Sequence, residues 1–200
     1  QRGMVAATLA GALCGVLGVF VVLRGMSYIG HGLSHAVFGG AAASAVMSIN
    51  FFLGAGIWGI ISGVLIGRIA RRKIIGADAA IGIVTTASFA GGIALLNRYG
   101  QARKSIEAVL FGSVLGVSWA DIAAISAVSL AVGAIVLFAY RAFLFATFDP
   151  QVATVSGERV AAIEVMLMVM LSVTILVTMR VIGTLLISAL LVIPAATARM

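Results

Sequence analysis

Charge is what this sequence has least of. Lysine, arginine, aspartate and glutamate make up 10% of its 200 residues, against 62% hydrophobic residues and a mean hydropathy of +1.23. A soluble domain carries about a quarter of its residues charged, so the composition excludes one, and lipid is the solvent against which each residue must be read. The six carboxylates are scattered over separate loops and helix ends, and no Ser, Cys or Lys has a base beside it. Catalysis of covalent chemistry is therefore not expected, nor is a permanently bound cofactor. A single cysteine, Cys14, rules out a disulfide framework and a cysteine metal site. Set between Gly11 and Gly15, it reads as a small packing residue. The pairs Gly39-Gly40 and Gly91-Gly92 lie inside apolar runs and lack the Lys-Ser/Thr of a phosphate loop. Any work done with ATP thus falls to another chain.

Apolar runs are what the sequence has in plenty. They cover about 4–23, 26–49, 51–67, 79–97, 119–140, 161–179 and 181–198, each close to the roughly 20 residues a helix needs to cross a bilayer. Six or seven spanning helices are expected. A transmembrane barrel would alternate polar and apolar residues over segments of about ten, and these runs are apolar on all sides. The predicted fold class is all-α, a polytopic transmembrane helical bundle forming one domain over 1–200, with the bilayer as its first partner. The first run is too long for a signal-peptide core and no small-residue cleavage site follows it, so no signal peptide is assigned.

The net charge of +7 would suggest nucleic acid in a soluble chain, but these basic residues sit between apolar runs and read as topology signals. The densest cluster, Arg68, Arg71, Arg72 and Lys73, is placed in the cytoplasm by the positive-inside rule. A second basic loop, Asn97 to Lys104, falls on the other side by parity. Residues 105–117, broken by Gly112 and Gly116, read as an interfacial or re-entrant piece. The polar loop at about 141–160 then shares a side with the first cluster. Within it, Asp149 before Pro150 is a good helix start and Gly157 a terminator, so a short surface helix is expected between Asp149 and Arg159. Gly59, Gly63 and Gly67 form a groove for a neighbouring helix, and Gly11, Gly15 and Gly18 suit close packing too. Pro194 is expected to kink or break the last helix. Arg180 reads as snorkelling or pairing with a helix end, and Asp78, Glu107 and Asp121 read as helix starts or solvated groups rather than ligands. Met166, Met168 and Met170 alternate around a helix and read as core or lipid contacts, not a copper site.

The only two histidines, His31 and His35, stand four apart within Tyr28 to Gly40. On a helix they share a face and can hold one divalent ion, with small neighbours at Gly32, Ala36, Gly39 and Gly40. The competing reading has both imidazoles hydrogen-bonded to backbone carbonyls or Ser34. In a segment so poor in polar groups, an intramembrane ionisable pair points to function, and His31 and His35 are taken as metal contacts. Two imidazoles are fewer than the four ligands zinc prefers, which suits a transit site from which the ion must leave.

Five stretches carry a family resemblance: Gly18 to His35, Asp78 to Ile83, Leu110 to Asp121, Phe148 to Pro150, and Val181 to Ala198. In this order they resemble the integral permease subunit of the zinc, manganese and iron family of ABC importers. The resemblance covers nearly the whole chain. It implies a homodimeric pore in a prokaryotic cytoplasmic membrane, cytoplasmic ATP-binding subunits, an extracytoplasmic metal-binding protein, and no role for nucleic acid. The 141–160 loop is expected to couple the pore to the ATPase through Asp149, Pro150, Ala153 and Gly157, because a chain without a nucleotide site can draw on ATP only through such a contact. In such permeases a Gly-Asp-xxx-Ser-His pattern places an acidic residue and a histidine on the ion path. His35 matches the histidine, and His31 occupies the acidic position, which makes the site softer and tilts it towards zinc. The family usually continues for about two helices past Pro-Ala-Ala-Thr-Ala, so a longer chain is expected. A permease for a metal chelate or cobalamin-like substrate, or a non-transporting membrane protein, are the alternative readings.

Overall fold

The computed structural model describes residues 2–26, 28–71, 75–99, 112–113 and 116–200. Helices α1 (Arg2–Leu23), α2 (Ile29–Val46), α3 (Phe51–Arg71) and α4 (Ala77–Tyr99) are followed by α5 (Trp119–Phe138), α6 (Tyr140–Phe148), α7 (Pro150–Val155), α8 (Val160–Ile182) and α9 (Thr184–Arg199). Five of them, α1, α3, α4, α5 and α8, are long and apolar enough to cross a bilayer, and α9 is a shorter apolar helix. The reading of 105–117, with Glu107, falls largely outside the described residues, as do Arg72, Lys73 and most of the second basic loop.

α2 is absent from that set of five because histidines, glycines and serines dilute its hydropathy. It needs little hydropathy, because its neighbours shield it from lipid: Ile29, Leu33, Ala36 and Val37 are fully buried, and α3, α4, α8 and α9 all pack on it. The turn into α2 is a helix stop of the glycine type. Gly25 adopts φ 66°, its N–H bonds to the Val22 carbonyl at 3.1 Å, and the Met26 N–H bonds to the Val21 carbonyl at 3.0 Å. Only glycine takes this left-handed conformation without a steric cost.

Small residues decide where helices touch. The α3 groove receives α8: the Ser172 hydroxyl donates to the Gly59 carbonyl at 3.0 Å, and a Cβ at Gly63 would lie 3.3 Å from the Met168 Cβ. Met168 and Met170 are buried. Gly18 meets the Leu191 backbone of α9, whereas a Cβ at Gly11 or Gly15 would meet nothing within 4 Å among the described residues. Of the three small residues expected to pack in α1, only Gly18 is therefore in close contact. Cys14 is buried and free, as its packing role requires.

Two expectations are corrected and two are narrowed. The stretch 141–160 is mostly helical: the run from Trp119 ends at Phe138, Ala139 caps it, and α6 continues to Phe148. The surface helix is shorter than Asp149 to Arg159, with six residues, 150–155, ending at Ser156 and Gly157. Pro194 lies inside α9 and does not break it, which leaves the kink of the two expected outcomes. Asp121 is the helix-start residue that the sequence pointed to. It completes a capping box with Ser118, and its carboxylate also takes an ion pair from Arg180 at 3.2 Å. Arg180 in turn lies over the Phe52 ring at 5.3 Å.

The two ends of the bundle differ. One gathers Arg180 with Asp121, and Arg2 over Trp119 at 5.0 Å. The other holds a cavity of about 800 Å³ lined by Arg24, Gly67, Ala70, Ala77, Thr147, Asp149, Gln151 and Glu164. The end of α3 and the surface helix thus share a side, as parity required. That side carries Arg68, the first residue of the densest basic cluster.

Candidate metal path on the second helix

His31 and His35 sit one turn apart on α2, two and six residues after its first residue, Ile29. Their rings meet edge to face, with centroids 4.4 Å apart and planes at 78°. Tyr28 covers the outer side of His31 at 5.2 Å, and Phe89 of α4 stands 4.7 Å from His35. Both histidines are half-buried. The Ser34 hydroxyl donates to the His31 backbone carbonyl at 2.8 Å, so it is spent on the helix and not on an imidazole. The Nδ1 of His35 is buried and has no hydrogen-bond partner among the described residues. A buried imidazole nitrogen without a partner is costly unless something else fills that place.

Glycines bring α4 and α3 against the same helix. A Cβ on Gly32 would run into Ile81 and Thr85, one on Gly39 would lie 2.9 Å from the Ser88 carbonyl carbon, and one on Gly92 would lie 2.9 Å from the Gly39 Cα. Gly40 faces Trp58, whose indole N–H donates to the Ser88 hydroxyl at 3.3 Å. Beyond the histidines towards the Arg180 end, an apolar cleft of about 540 Å³ runs between these helices, lined by Gly39, Gly40, Trp58, Ser88, Gly91 and Gly92. Among the described residues no group of three or more His, Cys, Asp or Glu gathers to hold a metal.

The second predicted set lies at the Arg24 end of the bundle. The Asp149 Oδ1 accepts from the Gln151 and Val152 N–H groups at 3.1 and 2.9 Å, and Pro150 takes the first helical position. Ala153 is fully buried beneath α7, Val155 is 89% exposed, and Gly157 ends the element at φ 86°. The structure does not bring this set to the histidines. Sequence reasoning missed the residues between them, Arg24 and Thr147, because Arg24 reads simply as the charge that closes an apolar run. The Arg24 Nε donates to the Thr147 hydroxyl at 3.1 Å across 123 residues of chain.

Comparisons with known proteins agree with this architecture. The manganese transport system membrane protein MntC of Halalkalibacterium halodurans is 38% identical over 198 residues, covering 99% of this chain and 68% of that protein. The manganese import system permease protein ScaB of Streptococcus parasanguinis is 38% identical over 200 residues, 99% of this chain and 70% of that protein. The solved structure of PsaBC from Streptococcus pneumoniae in complex with Fab superposes with a TM-score of 0.85 at 34% identity, covering 100% of this chain and 72% of that one. The ABC 3 transport family matches residues 1–200. With its all-helical bundle and close relatives among transport permeases, the chain belongs to the ABC 3 transport family.

Proposed function

We propose that this chain is the pore-forming permease subunit of an ABC importer for a divalent transition metal ion, with His31 and His35 on the ion path. The observation that carries the reading is the histidine pair itself: two rings at 4.4 Å on a shielded helix, one with a buried nitrogen that has no hydrogen-bond partner among the described residues. Neutral imidazole is tolerable in a bilayer interior and is the form that binds metal. Two nitrogens on one helix face give a weak, incomplete site, which an ion can leave as readily as it enters. Relatives named for manganese transport support that class of cargo. His31 adds a softer, uncharged donor where the family pattern has a carboxylate, so zinc competes better here than at a carboxylate site.

The chain has no phosphate loop in its sequence, so ATP is hydrolysed by separate cytoplasmic subunits. These dock on α7, where Asp149, Pro150, Ala153 and Gly157 build a short, capped, partly apolar knob. An extracytoplasmic metal-binding protein delivers the ion at the Arg180 end, and two permease chains enclose the path. Metal uptake into vesicles carrying the permease, its ATPase and the binding protein tests the reading. His35→Ala abolishes uptake with the complex still assembled, His31→Ala impairs it, and His31→Asp keeps transport while shifting preference from zinc towards manganese. Wild-type uptake in both alanine variants would make the histidines packing residues.

A further inference from the structure

Between the surface helix and the histidines lies a second set of contacts. α6 holds the end of α1 by two rungs, each from residues one helical turn apart. Phe143 of α6, fully buried, meets Phe20 of α1 with ring centroids 5.2 Å apart. One turn further along both chains, the Arg24 guanidinium donates to the Thr147 hydroxyl at 3.1 Å. Thr147 stands two residues before Asp149, the cap of α7. Arg24 stands at the other side of the turn that starts α2, and that turn is closed: the Ile29 N–H bonds to the Met26 carbonyl at 2.9 Å, and the Gly32 N–H to the Tyr28 carbonyl at 3.0 Å. Tyr28 itself touches His31.

Arg24 does not behave as a charge that merely ends a span, since such a residue reaches for water. It is folded inward on the wall of the 800 Å³ cavity, and its Nη2 is buried with no hydrogen-bond partner among the described residues. Burial pulls its guanidinium below the usual range, and the Glu164 carboxylate on α8 opposes that pull. A charged side chain kept inside at this cost, beside open volume in which the contact can shift, suits a moving joint better than a static support.

We infer that the Arg24–Thr147 contact is the joint through which displacement of the surface helix α7 reaches the histidine-bearing helix α2. Both are positioning residues, and neither touches the ion. The inference rests on the docking of the ATPase at α7 and on the metal path at His31 and His35. The rival route runs from α7 through the Gly157 turn directly into α8.

The test uses the full-length permease reconstituted with its ATPase and binding protein in lipid vesicles. Manganese uptake, read by a trapped fluorescent chelator, and phosphate release are measured on the same vesicles. Thr147→Val, which keeps the shape and removes the acceptor, should lower the ions moved per ATP hydrolysed by about ten-fold, the fold-change of one hydrogen bond to a charged group. ATP hydrolysis and assembly should persist, and Thr147→Ser should restore the ratio. Arg24→Gln should lower it to a similar degree, and the double variant should fall no further than either single one. A wild-type ratio in Thr147→Val, additive losses, or no recovery with serine would overturn the joint and leave the route through α8. If Thr147→Val fails to assemble, Arg24→Lys decides by the same ratio, since it keeps the charge facing Glu164 but has no Nε–H at the guanidinium position. His35→Ala is measured alongside. Normal uptake there overturns the metal path and the joint together, whereas a dead His35→Ala beside a normally coupled Thr147→Val overturns only the joint.

Discussion

Gly39 and Gly15 provide a paired measurement of how closely α2 and α4 are packed. Replacing either by alanine gains the same helix propensity, about 0.8–1.0 kcal/mol, so the difference between them isolates sterics. At Gly15 the new Cβ meets nothing within 4 Å among the described residues, whereas at Gly39 it runs into the Ser88 carbonyl oxygen and lies 2.9 Å from the carbonyl carbon. Carbon atoms rest at about 3.5–4.0 Å, so the carbon contact alone requires the Gly39→Ala variant to part the two helices by roughly 0.6–1.1 Å. Overpacking of that size costs about 1–3 kcal/mol. Equilibrium unfolding in mixed detergent micelles should therefore find Gly39→Ala less stable than Gly15→Ala by that amount. The parting also draws Phe89 from His35, so metal uptake in vesicles should fall for Gly39→Ala and hold for Gly15→Ala. Equal stability of the two variants, within about 0.3 kcal/mol, would show that the α2–α4 seam has slack and that glycine is not needed there.

Three further outcomes follow from the same structure. In a Cys14→Ser background, single cysteines at positions 70 and 156 should label from the cytoplasmic side and one at 99 from outside, and same-side labelling of 70 and 99 would break the span order. Ala153→Glu buries a carboxylate under α7 and Gly157→Pro blocks its terminating turn, so each should leave the permease in the membrane while the ATPase dissociates or hydrolyses without uptake. Normal transport in both would remove α7 as the docking element. Ser118→Ala should destabilise the start of α5 by about 0.5–2 kcal/mol in the same micelle assay, and no loss would mean that the Arg180–Asp121 pair holds this end alone.

Much of this protein can be read without coordinates, because lipid imposes one rule on every residue. A backbone in hydrocarbon must close its own hydrogen bonds, so apolar runs near 20 residues become helices, and their charges and glycines mark the ends. The spans, the Asp149 cap, the Gly157 stop and the shared face of His31 and His35 depend on neighbours within a turn or so of chain, and for that reason they were legible. Contacts between distant segments were not. Nothing near Arg180 in sequence names Asp121, and nothing near Arg24 names Thr147, because each partner is supplied by a helix whose place is set by packing. The same holds for α2, whose modest hydropathy is affordable only because other helices enclose it. Gly11 and Gly18 look alike in sequence, yet only Gly18 meets another backbone. Local propensity acts along the chain and can be read from it, whereas the choice of which small residue meets which helix is made once the whole bundle closes.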